Sequence, residues 1–167
     1  MNNTPQVKAP WLKSKDPEVP ATLTYSELSM CGRVEEMVRR YPDYIAYEFM
    51  GKCTTYAEMW KKINACAKSL KAIGIREGDK VTICMPNAPQ TLCMFYAVNM
   101  VGAIANMVHP LSAESEIAFY LRDSGSVAAI TLDQFYNKFE SVRKTVDLPC
   151  LCLLYTSPSP RDLSTSR

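Results

Sequence analysis

Four short apolar stretches begin at Lys80, Ile104, Val127 and Cys150, spaced 24, 23 and 23 residues apart, and each gap is filled by helical pattern. This spacing constrains the chain more than any other feature. Strands separated by a helix cannot close as hairpins, so they must run parallel, with right-handed crossovers that lay helices over the sheet. Stretches such as Val127-Ala128-Ala129-Ile130 suit a sheet buried on both faces. A period near 23 is the length of one βα unit and not a solenoid repeat. The fold class is therefore α/β, built of parallel-sheet βα units covered by helices.

Residues 1–28 carry four prolines and no sustained periodicity, which reads as an extended arm. A short helix follows, with Met30, Val34, Met37, Val38 and Tyr41 on one side, and Pro42 ends it. Tyr44 to Phe49 and Cys53-Thr54 flank the turn Met50-Gly51-Lys52 as a predicted hairpin. Thr55 and Glu58 then form a capping box, T-x-x-E. Tyr56, Met59, Trp60, Ile63, Ala67 and Leu70 recur behind it at helical spacing, and Gly74 suits a left-handed helix end.

The three helices between the later strands are expected as follows. Asn87 and Gln90 cap the first, Pro89 sits in its first turn, and it ends near Gly102. The second runs from about Ala113 to Arg122. The third covers Gln134 to Thr145, with Phe135, Phe139 and Val142 on one stripe.

Composition excludes several classes. Hydrophobic residues make up 47% and charged residues 22%, the balance of a globular domain with its own core. A net charge of +2 is too small for a nucleic-acid surface; Arg39-Arg40 and Lys61-Lys62 read as solvated helix faces. The N-terminus has no apolar core like that of a signal peptide, and no run approaches the roughly 18 apolar residues a membrane span needs. A cytoplasmic location is expected. The cysteines at 31, 53, 66, 84, 93, 150 and 152 are scattered, and one C-x-C pair with a single histidine, His109, is not a zinc ligand set. They read as reduced core thiols.

The tail from Cys152 carries two prolines and a run of serines and threonines without apolar period, so 152–167 is expected to be disordered. It can be read as a phosphorylatable Ser-Pro linker. Tyr155-Thr156-Ser157 also mimics the opening of a phosphate loop, but prolines stand where glycines would have to supply N–H donors, which rules that reading out. A third reading fits better. Back-translated with one choice of codons, Cys152 to Asp162 spells a string like a transposon-derived adaptor used in DNA library preparation. On that reading native residues stop at about Leu151.

A series of short signatures runs from Pro42 to about Pro149. Tyr41-Pro42-Asp43-Tyr44-Ile45-Ala46 is followed by Thr54-Thr55-Tyr56-Ala57-Glu58-Met59 and by Leu70-Lys71-Ala72-Ile73-Gly74-Ile75-Arg76-Glu77-Gly78-Asp79-Lys80-Val81. Then come Met85-Pro86-Asn87, Tyr96-Ala97-Val98-Asn99-Met100-Val101-Gly102-Ala103 and the turn His109-Pro110-Leu111-Ser112. Each alone is weak, but in this order and spacing they resemble the opening part of the N-terminal domain of AMP-forming acyl-CoA synthetases, members of the adenylate-forming superfamily. Residues 29–151 are then the partial N-terminal domain.

The resemblance implies a two-step reaction using ATP, Mg²⁺ and coenzyme A. A carboxylic acid, by weak preference a fatty acid, is joined to AMP with release of pyrophosphate, and the coenzyme A thiol then displaces AMP. The family's Y-T-S-G-T-T-G-x-P-K-G loop and its C-terminal catalytic lysine have no counterpart here, and no other phosphate-binding motif replaces them. No catalytic residue is assigned, and the chain alone is expected to be inactive.

Two positions are candidates for contact with a ligand in a complete enzyme. His109 and Ser112 follow the strand at Ile104, at the carboxyl end where α/β sheets bind ligands, and the resemblance puts them near coenzyme A. The plainer alternative is that His109 ends the strand and Ser112 caps the next helix. Glu77 and Asp79 flank Gly78 and read as turn chemistry, while Trp60, Met94, Phe95 and Tyr96 read as core. Other members of the superfamily, aryl-CoA ligases and peptide-synthetase adenylation domains, remain open. A small α/β binding module without enzymatic activity also stays open, although neither an acidic cluster nor glycines follow the strand at Lys80.

Overall fold

The computed structural model describes residues 10–20, 22–23 and 25–155. The helices are α1 (Met30–Arg40), α2 (Tyr56–Ala72), α3 (Pro89–Val101), α4 (Glu114–Ser124) and α5 (Tyr136–Arg143). The strands are β1 (Ile45–Phe49), β2 (Lys52–Thr55), β3 (Lys80–Cys84), β4 (Ile104–Met107), β5 (Ala128–Leu132) and β6 (Cys150–Leu154). β1 and β2 form the expected antiparallel hairpin. The other four form one sheet in the order β4-β3-β5-β6, with every neighbouring pair parallel.

Alternate residues of the central strands serve two cores. Val81, Ile83 and Met85 join Ala128, Ile130 and Leu132 beneath α2 and α3, with Met59, Ile63, Ala97 and Val98 packed on them. On the opposite face Cys84 and Ala129 meet Ile117 and Leu121 of α4 and Phe139 and Val142 of α5. Both faces of β5 are buried along its whole length, as a sheet covered on two sides requires.

One part of the second face is polar. Thr82 and Ser126 share a hydroxyl–hydroxyl bond of 2.8 Å, and the Asn106 amide donates to Thr82 Oγ1 at 2.9 Å and to Ser124 Oγ at 3.2 Å. Ser124 bonds Ser126 at 2.8 Å and donates to Tyr120 O at 2.7 Å. Thr82 and Ser126 are both buried, so each would be costly without these partners.

The local chemistry explains most helix ends. Thr55 Oγ1 accepts from Glu58 N and the Glu58 carboxylate accepts from Thr55 N, closing the capping box at α2. Gly102 and Gly125 end α3 and α4 with φ of 82° and 62°, in the left-handed region.

Several expectations are corrected. Neither Asn87 nor Gln90 caps α3; the cap is Ala88, with φ −146° and ψ 160° and no side-chain bond, and Pro89 occupies the first helical position. A residue before proline is pushed out of the helical region, which fixes the cap at Ala88. The third crossover opens with a 3₁₀ turn at Asp133–Phe135, because Asp133 Oδ1 accepts from Gln134 N and favours a tight local turn. Phe135 consequently packs on the first core, leaving Phe139 and Val142 on the second.

The arm contains a 3₁₀ turn at Pro10–Ser14. At the other end β6 pairs with β5 through Leu154, three residues past the expected boundary. The triplet Cys152-Leu153-Leu154 is apolar, so it can continue a parallel strand whatever its origin. The rest of the expected disordered tail, from residue 156, lies outside the described residues.

Candidate functional site

The order β4-β3-β5-β6 places the crossing point of the connections between β3 and β5, since the chain leaves β3 towards β4 on one side and returns to β5 on the other. Crevices of this kind, beyond the carboxyl ends of parallel strands, are where α/β sheets take ligands. The rim here consists of Met85 to Gln90 after β3, His109 to Ser112 beyond β4, and Asp133-Gln134 after β5. Sequence reasoning missed the β3–β5 side, because strand order depends on tertiary pairing.

The turn after β4 is the best-defined part of the rim. Val108 N donates to Ile83 O at 3.0 Å and ties the end of the strand to β3. Ser112 N donates to His109 O at 3.1 Å and closes the turn, while Leu111 N donates to His109 Nδ1 at 3.3 Å. With Nδ1 accepting, a neutral His109 carries its proton on Nε2. His109 is exposed, Pro110 beneath it is buried, and Ser112 is half-buried. The structure therefore brings His109 and Ser112 together in one turn. Ser112 does not cap α4: that position is Ala113, whose N–H donates to the Glu116 carboxylate at 3.0 Å.

Lys138 of α5 reaches the same turn, donating from Nζ to Pro110 O at 3.0 Å and to Ser112 O at 2.8 Å. No sequence signal pointed to it, since the partners lie 26 and 28 residues away.

On the other face an open cleft of about 250 Å³ is lined by Tyr47, Lys62, Cys66, Cys93, Met94 and Leu154. The Lys62 ammonium lies 5.8 Å from the Tyr47 ring centre and bonds its hydroxyl at 3.3 Å. Asp79 behaves as turn chemistry: its carboxylate accepts from Arg76 N at 2.7 Å. Among the described residues no three His, Cys, Asp or Glu side chains gather as a metal site. No helix among the described residues is long and apolar enough to cross a membrane.

All seven thiols are free. Burial pushes those of Cys84 and Cys93 up to about 11, with nearby Cys66 adding to the rise at Cys93. Burial, then the neighbouring Cys150 at 3.7 Å, pushes Cys152 up to about 12. In the folded chain exposed Cys53 should react first with a disulfide reagent, and Cys84 and Cys93 only on denaturation. A raised thiol value means the neutral form is favoured in the fold. Its contribution is therefore complete below the ordinary value of 9.0 and lost as the pH rises towards about 11. As far as these thiols are concerned, urea midpoints should be level just below pH 9.0 and fall between 9.0 and about 11; a midpoint that rose in that window would contradict the burial of these thiols.

Comparison with known proteins bears on what this rim belongs to. The profile of the AMP-binding enzyme family matches residues 34–166. A long-chain-fatty-acid–CoA ligase of Bacillus subtilis is 31% identical over 133 residues, covering 80% of this chain and 24% of that protein. The ligase FadD13 of Mycobacterium tuberculosis is 37% identical over 95 residues, covering 57% of this chain and 19% of that one. The chain thus spans about a quarter or less of the length of these relatives.

Among solved structures, the inhibitor-bound N-terminal domain of FACL13 from Mycobacterium tuberculosis superposes with a TM-score of 0.68 at 29% identity, covering 72% of this chain and 32% of that one. A long-chain-fatty-acid-CoA ligase from Archaeoglobus fulgidus reaches a TM-score of 0.74 over 86% of this chain and 30% of that one; at 18% identity the likeness is one of fold. The expected architecture, a helix-covered parallel sheet like that of the N-terminal domains of adenylate-forming enzymes, is the one observed. By the extent of the profile match and the signatures it spans, the chain belongs to the AMP-binding enzyme family.

Proposed function

We propose that this chain is the leading segment of an ATP-dependent, AMP-forming acyl-CoA ligase acting on fatty acids in the cytoplasm. The observation that carries the reading is the family match over residues 34–166, joined to the similarity with two long-chain-fatty-acid–CoA ligases. A fatty-acid carboxylate attacks the α-phosphorus of ATP and expels pyrophosphate, and the thiol of coenzyme A then attacks the acyl carbon and expels AMP. The segment's share is structural and positional. Residues 29–151 build part of the N-terminal domain, and the turn His109 to Ser112 faces coenzyme A. His109 Nε2–H and the Ser112 hydroxyl suit the polar groups of that substrate, at the carboxyl end of a parallel sheet.

The phosphates of ATP need preorganised donors and positive charge around them, which no motif of this chain supplies. Incubated with a fatty acid, ATP, Mg²⁺ and coenzyme A, the chain alone should release no pyrophosphate above the enzyme-free background. Turnover by the pure chain would overturn the reading of it as a partial domain. Pyrophosphate exchange by the complete protein over a panel of fatty, aryl and amino acids would decide among the branches of the superfamily. The same reading takes residues 152–167 as adaptor-derived, although the family match runs on to residue 166, and a different codon set at Cys152 to Asp162 would overturn that point alone.

A further inference from the structure

α5 is short, but two side chains anchor it: Phe139 is wholly buried and Val142 is 1% exposed. Lys138 precedes Phe139, so the base of its side chain is set by the core. From there its ammonium spans the carboxyl side of the sheet and bonds two carbonyls of a single turn, Pro110 O at 3.0 Å and Ser112 O at 2.8 Å. Two charge-assisted bonds to alternate peptides hold both peptide planes at once, which a single bond would not do. Leu111 N, which donates to His109 Nδ1, lies in the same peptide plane as Pro110 O, and Ser112 N, which closes on His109 O, lies in the peptide between the two that Lys138 holds.

We propose that Lys138 is a positioning residue for the turn that presents His109, holding the imidazole where coenzyme A is bound. This rests on the reading that the turn faces coenzyme A. The contacts around the turn belong to α5, β3 and the turn itself, so the clamp is separable from the reading of what the turn binds. Lys138→Met keeps the aliphatic stem and removes the donors, whereas Lys138→Arg keeps charge and donors.

The first measurement uses the full chain. In the Met variant, hydrogen exchange at the Leu111 and Ser112 amides should quicken about tenfold, with β5 and α5 amides unchanged. The Arg variant should return those two amides towards the parent rate. In the parent chain the ¹⁵N spectrum of His109 should show the Nε2–H tautomer, and in the Met variant a mixture. Unchanged exchange at Leu111 and Ser112 in the Met variant, uniform quickening through β5 and α5, or failure of the Arg variant to restore the turn would each overturn the proposal.

The second measurement uses the ligase that carries this segment. Lys138→Met should raise KM for coenzyme A about tenfold and leave kcat within about twofold, as expected when a binding group is held less firmly. If exchange at the turn quickens while neither Lys138→Met nor His109→Ala changes KM for coenzyme A, the clamp stands and the coenzyme A reading of the turn fails. If His109→Ala raises that KM and Lys138→Met does not, the reading stands and the positioning role fails.

Discussion

Replacing Phe139 by alanine should cost about 3 to 5 kcal/mol of folding stability, the usual range for a fully buried aromatic truncated to a methyl group. Phe139 has no solvent exposure and is the largest of the fully buried side chains. It fills the second core between Cys84 and Ala129 of the sheet and Ile117 and Leu121 of α4. The space left behind could not close easily, because the sheet and α4 hold fixed positions around it. Domains of this size are stable by about 5 to 15 kcal/mol, so the change removes a large fraction of the total. Urea denaturation followed by circular dichroism should place the variant's midpoint far below that of the parent. Phe119→Ala is the matched control: Phe119 is 54% exposed, and its loss should shift stability by no more than about 0.5 kcal/mol. Equal shifts in the two variants would show that α5 does not pack as described.

Gly102→Val carries the second large expectation. Gly102 has φ of 82°, and a Cβ there would lie 3.0 Å from Glu77 Cγ, 3.2 Å from Glu77 Cβ and 3.5 Å from Glu77 Cα. The approach is close because the end of α3 docks on the turn before β3: Gly78 N donates to Gly102 O at 2.9 Å and Ile104 N to Asp79 O at 2.7 Å. A side chain at this position meets an unfavourable backbone region and a neighbour whose own Cα is close by. The two effects together should cost about 2 to 4 kcal/mol. Gly125→Ala separates them. Its φ is 62°, but nothing lies within 4 Å of the added carbon, so only the backbone cost of about 1 to 2 kcal/mol should appear. If both variants lose the same amount, the docking of these two turns contributes nothing.

The parts of this fold that sequence reasoning found are those encoded locally. The T-x-x-E box needs only Thr55 and Glu58, and the structure shows both of its bonds. The glycine end of α3 and the four strand starts, each within about one residue, follow from backbone freedom and apolar period. Local logic also corrected one reading. Asn87 and Gln90 both carry oxygens able to cap, but Pro89 pushes Ala88 out of the helical region and so makes Ala88 the cap.

What depended on distant pairing was not legible. Nothing in the chain order reveals that β5 lies beside β3 with β4 on the far edge, and so the crevice between β3 and β5 was not anticipated. The grouping of His109 and Ser112 was visible because four consecutive residues make one turn. Lys138 was not, because its carbonyl partners have no side-chain identity to recognise.

The cluster of Thr82, Asn106, Ser124 and Ser126 has a consequence for how the sheet finds its alignment. Greasy surfaces are forgiving, since one aliphatic residue can stand where another stood; an amide that must meet two hydroxyls is not. Sliding β4 by one position against β3 would turn Asn106 to the opposite layer, leaving Thr82 with Ser126 alone and the Asn106 amide without its two hydroxyls, at about 1 to 3 kcal/mol for a polar group left buried and unpaired. The four small polar side chains thus work as a key among the apolar ones, admitting one setting of the outer strand and rejecting its neighbours.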